Sequence, residues 1–85
     1  MKPHIKIYMD YFGYGEQDFI PCEMGCGRVV DVHHLNGRGP GKDVIENLMG
    51  LCRNEHNKAG ADPEYNKQLE QIHLNILKSW KNYPH

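Results

Sequence analysis

The sequence predicts a small α+β domain, and three observations carry that prediction. A helical apolar rhythm closes the chain, two short strand-like runs flank a glycine-rich stretch in its middle, and a brief polar helix follows the second run. At 85 residues the chain has length for one domain, burying roughly 60–65% of its unfolded surface. Domains of this size are often helped by a disulfide, a metal or a partner.

Residues 1–21 read as an N-terminal packing segment. The stretch "HIKIYMDYF" alternates polar with apolar residues as a strand does. Ile5, Tyr8, Met9 and Phe12 would equally share one face of a short helix, and both forms stay open over so short a run. Its aromatics are assigned to the core. In residues 22–60, "CEMGCGR" is a tight turn carrying two cysteines, and "VVDVHHL" is a strand leaving it. "NGRGPGKD" is a loop, because no regular element tolerates that density of glycine and proline. "ENLMGLC" then reads as a second strand and "RNEHNKA" as a short helix ended by Gly60. Residues 61–85 hold the last helix. Asp62 is a good N-cap and Pro63 suits the first helical position. Tyr65, Leu69, Ile72, Ile76 and Trp80 form one apolar stripe that packs on the core, and Pro84 ends the helix. There is no internal repeat, low-complexity segment or interdomain linker.

The formal net charge is −1, which argues against a strongly basic, non-specific nucleic-acid binder. Arg28, Arg38, Lys42, Arg53 and Lys58 still place cations in the middle of the chain. No run has signal-peptide character or approaches the roughly 18 apolar residues of a membrane span. A soluble protein of the reducing cytoplasm, with no membrane partner, is expected. The three cysteines are an odd number and make no complete disulfide framework.

The six histidines say more than the charge. His33 and His34 sit where a strand ends and point to opposite sides if it is regular, so one imidazole can ligate a metal while its neighbour faces a substrate. A hairpin with a helix folded across it brings His33, His34, Asn47 and His56 into one cleft. Singly, each histidine is more often structural; in this order and company the catalytic reading leads.

The run "DVHHLNGRG", with "DVIENLMGLCRNEHNK" after it and "YFGYGEQDFIPCE" before it, resembles the His-Asn-His (HNH) endonucleases of small phage and bacterial type, over about residues 20–60. The resemblance implies a treble-clef-like ββα-metal finger, flanked by an N-terminal segment and a C-terminal amphipathic helix. It implies that His33 and His56 ligate a divalent cation and that His34 is the general base. Asn47 would bond to backbone next to His34 and hold its ring. The reaction implied is DNA phosphodiester hydrolysis, nicking or cleaving with low intrinsic sequence specificity and leaving 5′-phosphate and 3′-hydroxyl ends. Elementary chemistry agrees. Imidazole is a base near neutral pH, with an unperturbed pKa of about 6.5, and a cation with open positions stabilises the leaving oxygen. Mg²⁺ or Mn²⁺ fits, and Zn²⁺, Ni²⁺ or Co²⁺ is compatible with the ligand type. Gly60 stands where several relatives have a further ligand. Arg38, Lys42 and Arg53 would touch phosphates without reading bases. So little positive charge suggests work inside a larger phage or defence-related assembly; one hairpin-helix site cuts one strand, so a monomer should nick and a homo-oligomer such as a dimer could cut both strands.

Cys22, Cys26, Cys52 and His56 also make a C-x₃-C … C-x₃-H pattern within the spacing of structural zinc sites. If His56 completes that site it cannot hold the catalytic cation, and the chain is a non-catalytic, zinc-stabilised module that binds nucleic acid or protein. If Glu55 or water is the fourth ligand, a structural zinc and a catalytic cation coexist. In the third alternative the thiols are reduced and pack as small hydrophobes.

Overall fold

Pro3 sets the φ that a first helical turn needs, and the helix it starts, α1, runs Pro3–Phe12. Gly13 closes it at φ 76°, a left-handed conformation that a Cβ would oppose. The choice between strand and helix for this segment therefore resolves as helix, with a different inward face. His4, Tyr8 and Met9 are buried, while Ile5 and Phe12 are only partly buried. The structure is a computed structural model that describes residues 2–82, so Pro84 lies outside the described residues.

The fold is α+β, with three α-helices and one two-stranded antiparallel sheet. β1 (Asp31–His34) and β2 (Leu48–Leu51) pair with His33 opposite Met49 and His34 opposite Leu48. Both strands are shorter than the runs that suggested them. Asn47, expected in the second strand, lies instead in a 3₁₀ turn, Ile45–Asn47, that feeds it. α2 (Arg53–Ala61) runs through Gly60, and α3 (Pro63–Lys81) begins at once. The Asp62 side chain accepts from the N–H groups of Glu64 and Tyr65, which caps α3 as expected.

The hairpin is the middle layer. All four residues of β2 are buried because helices cover both of its faces. Met49 and Leu51 pack with Leu35, Ala59 and Leu69 on the α2–α3 side. Val32 and Leu48 pack with Tyr8 of α1 on the other. The inward face of α3 is rotated from the apolar stripe: Leu69, His73 and Leu77 are buried, whereas Ile72, Ile76 and Trp80 are partly exposed and line an open cavity of about 380 Å³. The reason is His73. It is polar, so a hydrophobic pattern passes over it, yet it is fully buried between Glu23 and the Ile45 carbonyl.

At Gly50 the hairpin comes close to Tyr8 of α1. A Cβ there would lie 2.7 Å from Tyr8 Oη and 2.9 Å from Val29 Cγ2. Tyr8 cannot swing away, since its ring is buried and its hydroxyl donates to Glu23 at 2.7 Å. Gly50→Ala is expected to cost about 1–3 kcal/mol by overpacking, read as a lower urea midpoint by circular dichroism.

Candidate functional site

Side chains alternate along a strand, so His33 and His34 leave β1 on opposite faces. His34 turns toward α1, where its ring centroid lies 4.6 Å from that of His4. Its Nε2 is 2.8 Å from Asp43 Oδ1. A carboxylate offers only lone pairs, so the neutral ring carries its proton on Nε2 and keeps the Nδ1 lone pair.

His33 turns toward α2 and α3. Its Nε2 lies 2.7 Å from Asn66 Oδ1, and Asn66 Nδ2 donates to the Leu35 carbonyl, which fixes which end of the amide faces the ring. His33 therefore donates through Nε2 and also keeps its lone pair on Nδ1. Burial, reinforced by the neighbouring His56, lowers the His33 pKa below 6.5 despite the Asn66 bond. The ring is neutral at pH 7, the form metal ligation requires. His56, on α2, stands 5.2 Å from His33 between ring centroids, with its Nε2 3.5 Å from Asp31 Oδ2. Asp31 shares the His33 face, two residues earlier. Imidazole and carboxylate are donor types that suit a divalent cation, although these three side chains are not drawn together as the cysteine sulfurs are.

These groups meet at a cleft of about 200 Å³, lined by Asp31, Val32, His33, His34, Gly37, Arg38 and His56. Of the three cations assigned to phosphate, Arg38 lines the cleft. Lys42 donates instead to the Asn36 carbonyl, and Arg53 is exposed at the start of α2. Asn47 is buried, and its side chain bonds to backbone groups. Its Oδ1 accepts from Asn36 N–H at 2.6 Å, and its Nδ2 donates to the carbonyls of Gly37 and Lys42. Its own carbonyl accepts from Leu35 N–H at 2.9 Å. Asn47 thus pins the loop that carries Arg38 and ends at Asp43, touching the chain just past His34.

The cysteines form a separate centre. The sulfurs of Cys22, Cys26 and Cys52 lie within 4.8 Å of one another. A disulfide joins Cys26 to Cys52, and the buried thiol of Cys22 is 3.3 Å from the Cys26 sulfur. This pairing departs from the alternative in which all three thiols are reduced and pack as small hydrophobes. The same three sulfurs, when reduced, can hold a metal ion. Among the described residues they are the one such group of three or more histidine, cysteine or acidic side chains. Neither candidate fourth ligand belongs to it. His56 stands against His33 and Asp31, and Glu55 accepts from the Tyr65 hydroxyl.

Four residues around the cleft escaped the sequence reading: His4, Asp31, Asp43 and Asn66. Asp31 carried a signal, lying at strand spacing from His33. The contacts of Asp43 and Asn66 depend on the loop path and on where α3 crosses the hairpin, and spacing encodes neither.

No family model, no curated protein and no solved structure matches the chain.

Proposed function

We propose that this chain is a metal-dependent endonuclease of the HNH kind, hydrolysing DNA phosphodiester bonds with little sequence preference, and that its hairpin and α2 are a ββα-metal finger. The observation that carries the reading is the meeting of His33, His34, His56 and Arg38 at one cleft. His34 takes a proton from water through Nδ1, and Asp43 steadies the imidazolium that forms. Arg38 holds a phosphate oxygen, and His33 and His56 hold the cation, with Asp31 beside them. A divalent cation there supplies positive charge to the leaving 3′ oxygen. With a net charge of −1, binding to DNA rests on few phosphate contacts and weakens with salt only modestly. Such weak binding fits action within a larger assembly.

Supercoiled plasmid incubated at low salt with Mg²⁺, Mn²⁺, Zn²⁺, Ni²⁺ or Co²⁺ tests the reading. Nicked circle that forms with metal and not with EDTA is the expected product. Plasmid left intact across all five metals overturns it, and cleavage of structured RNA in place of plasmid would reassign the substrate.

The three sulfurs, in this proposal, hold a structural zinc that ties the cysteine turn to the first residues of α2. Reduced protein titrated with Co²⁺ should show a thiolate charge-transfer band. Cys22→Ser should weaken that band and His56→Ala should leave it intact. A band lost in His56→Ala would favour the non-catalytic zinc module.

A further inference from the structure

Among the described residues, two buried side-chain nitrogens reach no hydrogen-bonding partner in the protein, Nε2 of His4 and Nδ1 of His34. They belong to rings in contact, with planes inclined by 49°. His4 is 4% exposed and His34 8%. A buried polar atom without a partner is costly, and each such atom in a native fold calls for a physical reason. Here both fall in one ring pair, and one of them is the nitrogen that the Asp43 bond leaves basic.

His4 is ill suited to a purely apolar packing role. It lies one helical turn before Tyr8 on the buried face of α1, at a site where a leucine would fill space without stranding a nitrogen. Burial, then the neighbouring His34 and Arg38, lower its pKa below 6.5, so at pH 7 it is a neutral imidazole. A neutral ring can bond to water without repelling a proton arriving on His34.

We propose that His4 is a second imidazole of the catalytic site, and that its Nε2 and His34 Nδ1 together hold the attacking water. This rests on the nuclease reading in that the held water is the nucleophile. In the step, the water O–H bond breaks and its proton passes to His34 Nδ1. The oxygen bonds to phosphorus, and the bond from phosphorus to the 3′ oxygen breaks with its electron pair leaving on that oxygen, which takes a proton from solvent. His4 keeps the water aligned while this happens. The N-terminal helix then contributes to the chemistry as well as to the core.

His4→Phe keeps a planar ring and removes the nitrogens; His4→Gln keeps a polar atom at about the same reach. In plasmid nicking, His4→Phe is expected to lower kcat on the order of 10²-fold, the scale of a misaligned reactant, with KM unchanged and His4→Gln restoring much of the loss. Ring ¹⁵N spectra of the folded proteins, without DNA or metal, should show the His34 Nδ1 resonance move when His4 becomes Phe and return toward wild type in His4→Gln. Wild-type kcat in His4→Phe, beside an inactive His34→Ala, overturns the role of His4 alone. Wild-type protein that leaves plasmid intact overturns the nuclease reading and the catalytic role with it. An Nδ1 resonance indifferent to both His4 substitutions overturns the shared water itself.

Discussion

Replacing His73 with leucine is expected to cost about 3–5 kcal/mol, the usual penalty for removing one partner of a buried ion pair. That is a large part of the about 5–15 kcal/mol that holds a domain together. His73 is fully buried, with Nδ1 2.6 Å from Glu23 Oε1 and Nε2 2.7 Å from the Ile45 carbonyl. Both neighbours are acceptors, and a neutral imidazole has one N–H to offer. Only the imidazolium satisfies both. Burial alone would lower the His73 pKa, but the Glu23 bond and charge, with the Ile45 carbonyl, outweigh it and raise the pKa above 6.5. The other Glu23 oxygen accepts from Tyr8 Oη and from Gly50 N–H at 3.1 Å. One carboxylate therefore joins α1, the cysteine turn, β2 and α3. Leucine at 73 would leave that carboxylate buried without its counter-charge. Because the folded pKa exceeds the unfolded one, the contribution of His73 is complete below about pH 6.5. It fades as pH rises through the raised folded value. Urea unfolding at pH 6 and pH 9 should show wild type losing stability at the higher pH and His73→Leu losing less. Equal pH dependence in the two proteins would refute the charged pair.

His73 also shows where a sequence stops being legible. The last helix, its Asp62 cap and the order of strand, loop, strand and helix could all be read from local chemistry. Glycine and proline density, N-cap preference and apolar spacing act within a few residues of one another. The facing of α3 could not be read that way. It depends on a polar residue made buriable by Glu23, fifty positions away. The candidate site divides along the same line. Strand alternation sends His33 and His34 to opposite faces, and α2 follows β2 directly, so the pairing of His33 with His56 lies within reach of spacing. The partners that fix ring protons, Asp43 for His34 and Asn66 for His33, come from a glycine-rich loop and from a helix that crosses the hairpin. His4 was harder still, since the N-terminal segment read equally as strand or helix and only the helix turns that ring inward. The cysteine pattern left the place of His56 open between two centres. His56 sits at zinc-ligand spacing from Cys52, but α2 carries it to the opposite centre, beside Asp31.

If the chain is the nuclease proposed, with His34 as its base, His34→Ala is expected to lower kcat about 10²–10⁴-fold, the usual contribution of a positioned general base. Metal affinity should hardly change, because His33 and His56 are untouched. The prediction follows from the fixed tautomer. With Nε2 tied to Asp43 at 2.8 Å, the one basic nitrogen is Nδ1, and no other ring in the cleft has the same freedom. Nε2 of His33 is held by Asn66, its Nδ1 is the atom proposed for the cation, and His56 faces Asp31 at 3.5 Å. Asp43 can be separated from His34 by a graded test. Asp43→Asn keeps a carbonyl oxygen that accepts from Nε2–H but also offers an N–H that can donate to a bare Nε2, so part of the population should take the wrong tautomer. The expected loss is about 10–100-fold in kcat, the scale on which partners that orient a histidine usually act, with KM little altered. Asp43 is largely exposed, so the substitution should leave the urea midpoint near that of wild type, and a fall in rate then reports chemistry and not unfolding. Single-turnover cleavage measured at saturating metal separates the two effects. Asp43→Asn with unimpaired kcat, or His34→Ala that still nicks plasmid at the wild-type rate, would remove His34 from the role of base.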